Sequence, residues 1–102
     1  MAVDILAEGA VLLHPIRFKI IEVLKDSDTS LYIDEIAKKV GYDRRLVSFH
    51  LSALEDKGYL ESNFEVIKKP ASLGKAGRFY TTTEKVDEVL SSIAKRIEPR
   101  KD

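Results

Sequence analysis

Cysteine and tryptophan are absent from this chain of 102 residues, proline occurs three times, and neither sign of charge is in excess, with 17 basic and 17 acidic side chains. The lack of cysteine excludes a disulfide framework and a thiolate metal site, and it is compatible with a reducing interior. No apolar run approaches the roughly 18 residues of a membrane span. The opening MAVDILAEG carries acids where a secretion signal carries bases. A cytoplasmic protein with no membrane partner is expected. Catalytic groups are also few. His14 and His50 are the only histidines and fall on different predicted elements, and there is neither a cysteine nucleophile nor a serine elbow. Two such imidazoles are too few for a metal site, so no enzyme, no metal and no cofactor are expected. The length suits one small core, which dimerisation would help to stabilise.

Around that core the stretch IDEIAKKVGYDRRLVSFHLSALEDKGYL organises the rest. Ile36, Ala37 and Val40 recur at i, i+1 and i+4, the apolar face of a short helix. Gly41 ends it where a left-handed backbone costs least. Asp43 then caps a second helix whose stripe is Val47, Leu51 and Leu54, closed by Lys57 and Gly58. The small Ala37, the Gly41 turn and Val47 let two helices cross closely at a steep angle, as in a helix-turn-helix. With that stripe inward, Arg44, Arg45, Ser48, Phe49 and Ser52 fall on the outer side, the two arginines in the first turn. Positive charge in a first turn opposes the helix dipole by roughly a few tenths of a kcal/mol, so solvation alone explains it poorly. Presentation of Asp43, Arg44, Arg45, Ser48, Phe49 and Ser52 to base edges in a DNA major groove explains it better. Phe49 suits either a thymine methyl or packing on a neighbouring element. His50, beside Leu51, reads as a partly buried, hydrogen-bonded structural histidine.

The flanks are read the same way. Val3, Leu6, Ala7, Ala10 and Val11 share one side of a short helix within residues 1–13. Gly9 weakens that helix by about 1 kcal/mol relative to alanine, so it needs a partner. Pro15 opens the next helix, with Ile16, Ile20, Val23 and Leu24 as its stripe and a turn at residues 26–29. Arg17 points away from that stripe, toward solvent or a phosphate. Residues 31–33 are β-formers. After Gly58 the pattern becomes extended, with Leu60, Asn63 or Phe64, Val66 and Ile67 in one strand and residues 78–82 in its partner. The loop between them, KKPASLGKAG, holds Lys68, Lys69 and Lys75, with Arg78 just beyond and no acid between 66 and 80. It is either a basic wing near DNA phosphates or a solvated hairpin tip. It is not a nucleotide loop, because Gly74-Lys75 is followed by alanine and then a strand. The last helix opens among Thr81, Thr82 and Thr83. Its Val86, Leu90, Ile93 and Ile97 repeat at spacings of four, three and four, a narrow seam that pairs with another helix or with its own domain.

In order along the chain, HPIRFKIIEVL, IDEIAKKVG, VSFHLSALEDKGYL and GRFYTTTEKVDEVL resemble the successive blocks of ArsR-like winged helix-turn-helix transcriptional regulators. The match runs from about residue 14 to 97, and VSFHLSALEDKGYL is its most specific part. The resemblance implies a mainly α fold with a small β-hairpin (α+β), in one domain over 1–102. Its parts are an N-terminal helix at 1–13, a three-helix core at 15–60, a wing at 60–82 and a C-terminal dimerisation helix at 83–97. It implies a homodimeric repressor of double-stranded DNA, nucleoid-associated, with Val3, Leu6, Ala10, Val86, Leu90, Ile93 and Ile97 at the dimer interface. The chain departs from metal-sensing relatives, which use cysteine or His/Asp clusters, and no effector can be named. Net charge zero argues against nucleic acid. Residues 1–40 hold seven acids against five bases, however, so a neutral total conceals a basic wing whose DNA binding should be modest and salt-dependent. The alternative is a winged helix used for protein contacts within a transcription or replication assembly.

Overall fold

The computed structural model describes residues 4–68 and 74–97, so Val3 and Lys69 of the expected sites lie outside the described residues. The chain runs α1 (Ile5–Leu12), α2 (Pro15–Asp26), β1 (Leu31–Tyr32), α3 (Ile33–Val40), α4 (Arg44–Asp56), β2 (Leu60–Val66), β3 (Ala76–Thr82) and α5 (Glu84–Ile97). Local chemistry sets these boundaries. Pro15 occupies the start of α2, and the His14 imidazole accepts the Ile16 N–H through Nδ1 at 3.2 Å. At α3 the Glu35 carboxylate accepts the Tyr32 N–H at 3.2 Å. Gly41, at φ 83°, turns the chain out of α3 and donates its N–H to Ala37 O at 2.9 Å. The Asp43 carboxylate then accepts the Leu46 N–H at 2.9 Å to start α4.

Helices α2, α3 and α4 close on one core of Ile20, Ile21, Leu24, Ile36, Val40, Val47, Leu51 and Leu54. Each such side chain is worth about 1.5–3 kcal/mol on burial, which holds the helix-turn-helix at its crossing. The sheet order is β1-β3-β2, all antiparallel. Leu31 and Tyr32 pair with Tyr80 and Phe79, and the β2–β3 ladder runs from Leu60↔Thr82 to Val66↔Ala76. The Ile67 N–H extends it to Lys75 O at 2.8 Å. Leu60 and Tyr80 root the hairpin in the core, Phe64 and Val66 are exposed, and Ile67, at the outer end of the ladder, is buried against Gly77. Ile33, grouped in the sequence with the β-formers, belongs to α3.

The terminal helices differ from the expected pattern in two places. On α1 the buried residues are Gly9 and Leu12, whereas Leu6, Ala7 and Ala10 are exposed. The reason is that α1 lies along α5: a Cβ at Gly9 would stand 3.9 Å from Ile93 Cδ1. On α5, Val86 is fully buried, together with Val89, in the core of its own domain, so Val86 has no surface to offer a second chain. The first turn of α5 is tied down there, because Thr83 donates its N–H to Tyr59 O at 3.0 Å and its hydroxyl to Gly58 O at 2.6 Å. Leu90 and Ile93 are half-buried, and Ile97 is 77% exposed. A polar knot joins both helices to the core. Buried Tyr59 donates its hydroxyl to the Glu8 carboxylate, and Lys85 Nζ lies 3.2 Å from Glu8 and 2.5 Å from Lys57 O. Burial, helped by Glu8, pushes the Tyr59 hydroxyl up, and the Tyr59 hydrogen bond holds Glu8 below its ordinary value. Among the described residues no helix is long and apolar enough to cross a membrane.

Candidate nucleic-acid interface

The inward stripe of α4 fixes what faces out. Val47, Leu51 and Leu54 are all 0% exposed, which turns Arg44, Arg45, Phe49 and Ser52 to solvent and leaves Ser48 half-covered. With Ile33 of α3 these five residues line a single shallow depression. Asp43 stands at its edge as the cap of the helix. The two arginines differ. Arg44 Nε lies 2.8 Å from Asp34 Oδ1, whereas Arg45 makes no hydrogen bond or ion pair among the described residues. Phe49 is 63% exposed, its ring edge-on to His50 at 5.2 Å.

Between α4, the start of α3 and the hairpin runs a groove of 470 Å³, lined among others by Asp34, Arg44, Ser48, Phe64, Lys75 and Arg78. The described wing bases therefore do not form one cluster. Lys75 and Arg78 share the groove with Arg44 and Ser48 of α4, while Lys68 lines the other side of the hairpin with Thr29, Glu35 and Glu65. Arg78 is positioned twice, donating to Ser62 Oγ at 2.9 Å and lying 4.5 Å over the Phe64 ring. The Ser62 hydroxyl donates in turn to Glu55 of α4 at 2.6 Å. This relay ties the orientation of the wing to the C-terminal half of α4.

Arg17 does not reach out for a phosphate. Its Nε donates to His50 Nδ1 at 3.0 Å and its Nη1 to Val11 O at 3.2 Å. His50 is only 4% exposed, and a buried imidazole nitrogen without a donor would be costly, so the guanidinium is directed inward. His14 and His50, far apart in sequence, meet with ring centroids 4.6 Å apart and planes tilted by 43°. Burial, followed by the nearby His14 and Arg17, holds His50 below its ordinary value. Among the described residues no group of three or more metal-ligating side chains comes together. Sequence reading missed Asp34, Glu55, Ser62 and Phe64. Strand alternation puts Ser62, Phe64 and Val66 on one face, which was a usable signal for Phe64. For Asp34 and Glu55 no local pattern exists.

Comparisons with known proteins bear on the fold that carries this surface. Residues 14–62 match the family described as bacterial regulatory protein, arsR family. An uncharacterized HTH-type transcriptional regulator of Methanocaldococcus jannaschii is 36% identical over 61 residues, which cover 60% of this chain and 62% of that relative. Among solved structures, one similar fold is the homodimeric winged helix-turn-helix DNA-binding domain of a possible ArsR-family transcriptional regulator from Mycobacterium bovis. Its TM-score is 0.66 at 20% identity, over 97% of this chain and 86% of that one. Another is the transcriptional repressor CouR bound to a 23-mer DNA duplex, with TM-score 0.64 and 23% identity over 95% of this chain and 64% of that one.

Proposed function

We propose that the chain, which over residues 14–62 is similar to the arsR family of bacterial regulatory proteins, binds double-stranded DNA as a homodimer and represses transcription. The observation that carries this reading is the outward face of α4. Arg44, Arg45, Ser48, Phe49 and Ser52 form one continuous surface, which opens into a groove holding Lys75 and Arg78. A helix with this face enters a major groove with its first turns against base edges, while the wing cations meet phosphates. Two copies would read half-sites about one helical turn apart. Dimerisation is assigned to the outer side of the α1–α5 pair, where Leu6 is 87% and Ile97 77% exposed, joined by Ala10 and by the half-buried Leu90 and Ile93. The CouR and Mycobacterium bovis structures, by their descriptions a DNA-bound repressor and a homodimer, support the reading.

The test is a titration of random and selected duplexes at low and moderate salt. A DNA binder that neutralises phosphates shows affinity that falls steeply as salt rises. A second reading, a protein-contact module, is favoured by the zero net charge and by Phe49 and Phe64 standing 63% and 65% exposed. It predicts no duplex binding even at low salt.

A further inference from the structure

The groove between α4 and the wing gathers three cations, Arg44, Lys75 and Arg78, and among its described lining residues a single carboxylate, Asp34. Among the described residues that carboxylate contacts one cation. Its Oδ1 is 2.8 Å from Arg44 Nε, with the two side chains 57% and 68% exposed, while Arg78 is engaged by Ser62 and Phe64. An anion at hydrogen-bond distance from a guanidinium, in a groove otherwise cationic, takes the place that a duplex phosphate oxygen or base acceptor would take. We propose that Asp34 is an internal competitor for Arg44. In the free protein it holds the guanidinium, a duplex that engages Arg44 must displace it, and Asp34 thereby weakens the binding of any such duplex. The inference rests on the DNA-binding reading of this face.

Two electrostatic facts give the pair a reason to form without DNA. Asp34 lies in the first turn of α3, where an acid is favoured, and Arg44 opens α4, where a cation is not. Pairing offsets the second. Once a duplex arrives, its phosphates repel the carboxylate and attract the guanidinium. On a cognate site, base-edge bonds to Arg44 compensate for the lost partner; on random DNA only phosphate attraction is available. The pair is therefore given up in full on a cognate site, and on random DNA only as far as phosphates draw Arg44 away, so removing the carboxylate should help cognate DNA at least as much as random DNA. The effect is small because an exposed pair is weak, about two- to fivefold at low salt, and it should shrink as salt rises.

Fluorescence anisotropy of the full chain on a labelled random duplex and on one enriched by selection tests this. The proteins compared are the wild type, Asp34→Asn, Arg44→Ala, the double variant, and Glu22→Gln, which removes an exposed acid of α2 outside the groove. The expected result is tighter binding of both duplexes by Asp34→Asn, with a gain on the selected duplex at least as large as on the random one, little gain for Glu22→Gln, and no gain when Arg44 is already alanine. An equal gain from Glu22→Gln would reduce Asp34 to bulk charge, and a gain that survives Arg44→Ala would remove Arg44 from the account. Wild-type binding that Asp34→Asn leaves unchanged overturns the competitor alone. If neither protein binds any duplex at low salt, the DNA-binding reading falls with it.

Discussion

Helices α4 and α5 are nearly equal in length, 13 and 14 residues, and both carry an apolar stripe at helical spacing, yet they use it differently. On α4 the stripe is covered throughout: Val47, Leu51 and Leu54 are 0% exposed and His50 4%, because α2, α3 and β2 all pack on it. On α5 coverage fades along the axis. Val86 and Val89 are buried, Leu90 and Ile93 are half-covered, and Ile97 stands 77% exposed. Periodicity states which residues share a face, and says nothing of what lies against it. A helix covered along its whole stripe has only its polar side left for a ligand; one that emerges from the core keeps apolar surface for another chain.

The sharpest way to break this comparison is to truncate both stripes. Leu51→Ala should cost about 2–5 kcal/mol of unfolding free energy, the same at every protein concentration in a urea titration. Ile97→Ala should leave unfolding of the dilute monomer almost unchanged and weaken self-association in sedimentation equilibrium instead. Concentration-independent destabilisation from both would mean that α5 is a core helix to its end.

The polar side of α4 comes next in size. Arg45→Ala should cost about 1–3 kcal/mol on a selected duplex and relax its base preference. The loss should exceed that of Arg44→Ala, because Arg44 must first leave Asp34 whereas Arg45 has no partner to give up among the described residues. Equal losses on selected and random duplexes would place Arg45 on phosphates and not on bases.

Acid should separate α4 from the α1–α5 side by pH window. His50 of α4 has its protonation disfavoured by burial first and by the nearby His14 and Arg17 second. The unfolded chain then takes up this proton at a higher pH than the folded one. The stability is present above the ordinary histidine value of 6.5 and is lost as pH falls through the lower folded value. Protonation at Nδ1 also removes the acceptor for Arg17. Glu8, held down by Tyr59, contributes above the ordinary value of 4.5 and loses that only at lower pH. Urea midpoints followed from neutral to acid pH should therefore fall in two stages, and His50→Gln should flatten the first while leaving the second. A first stage unchanged by that substitution would move its origin elsewhere.

The difference between the two helices also marks what could be read without coordinates. The turn from α3 into α4 was legible because Gly41 and Asp43 act within three or four residues of themselves. The outward set on α4 followed from the stripe by geometry. Interactions that depend on how elements cross were not legible. Arg17 meets His50 33 residues away, His14 lies tilted against that same ring, and Asp34 reaches Arg44 only because the helix-turn-helix folds one first turn against the other. Val86 shares its spacing with Leu90 and Ile97, yet it lies in the core beside the tether of Thr83 to Gly58 and Tyr59, whereas Leu90 is half-covered and Ile97 exposed.

The smallest expected effect concerns how α5 is attached. Its first turn carries Asp87, whose carboxylate lies 2.7 Å from Lys25 Nζ of α2, with side chains 65% and 39% exposed. A pair this open contributes about 0.2–1 kcal/mol and is screened by salt. Asp87→Asn also removes an acid from the favourable end of the helix, so the pair itself is isolated by a cycle with Lys25→Gln. Hydrogen exchange gives the site-resolved readout. Breaking the pair, or raising the ionic strength, should speed exchange in α5 and leave the amides of α4 unchanged, because packing and not charge holds α4 down. Should α4 loosen along with α5, the two helices would belong to one cooperative unit, and the contrast in how they are held would be lost.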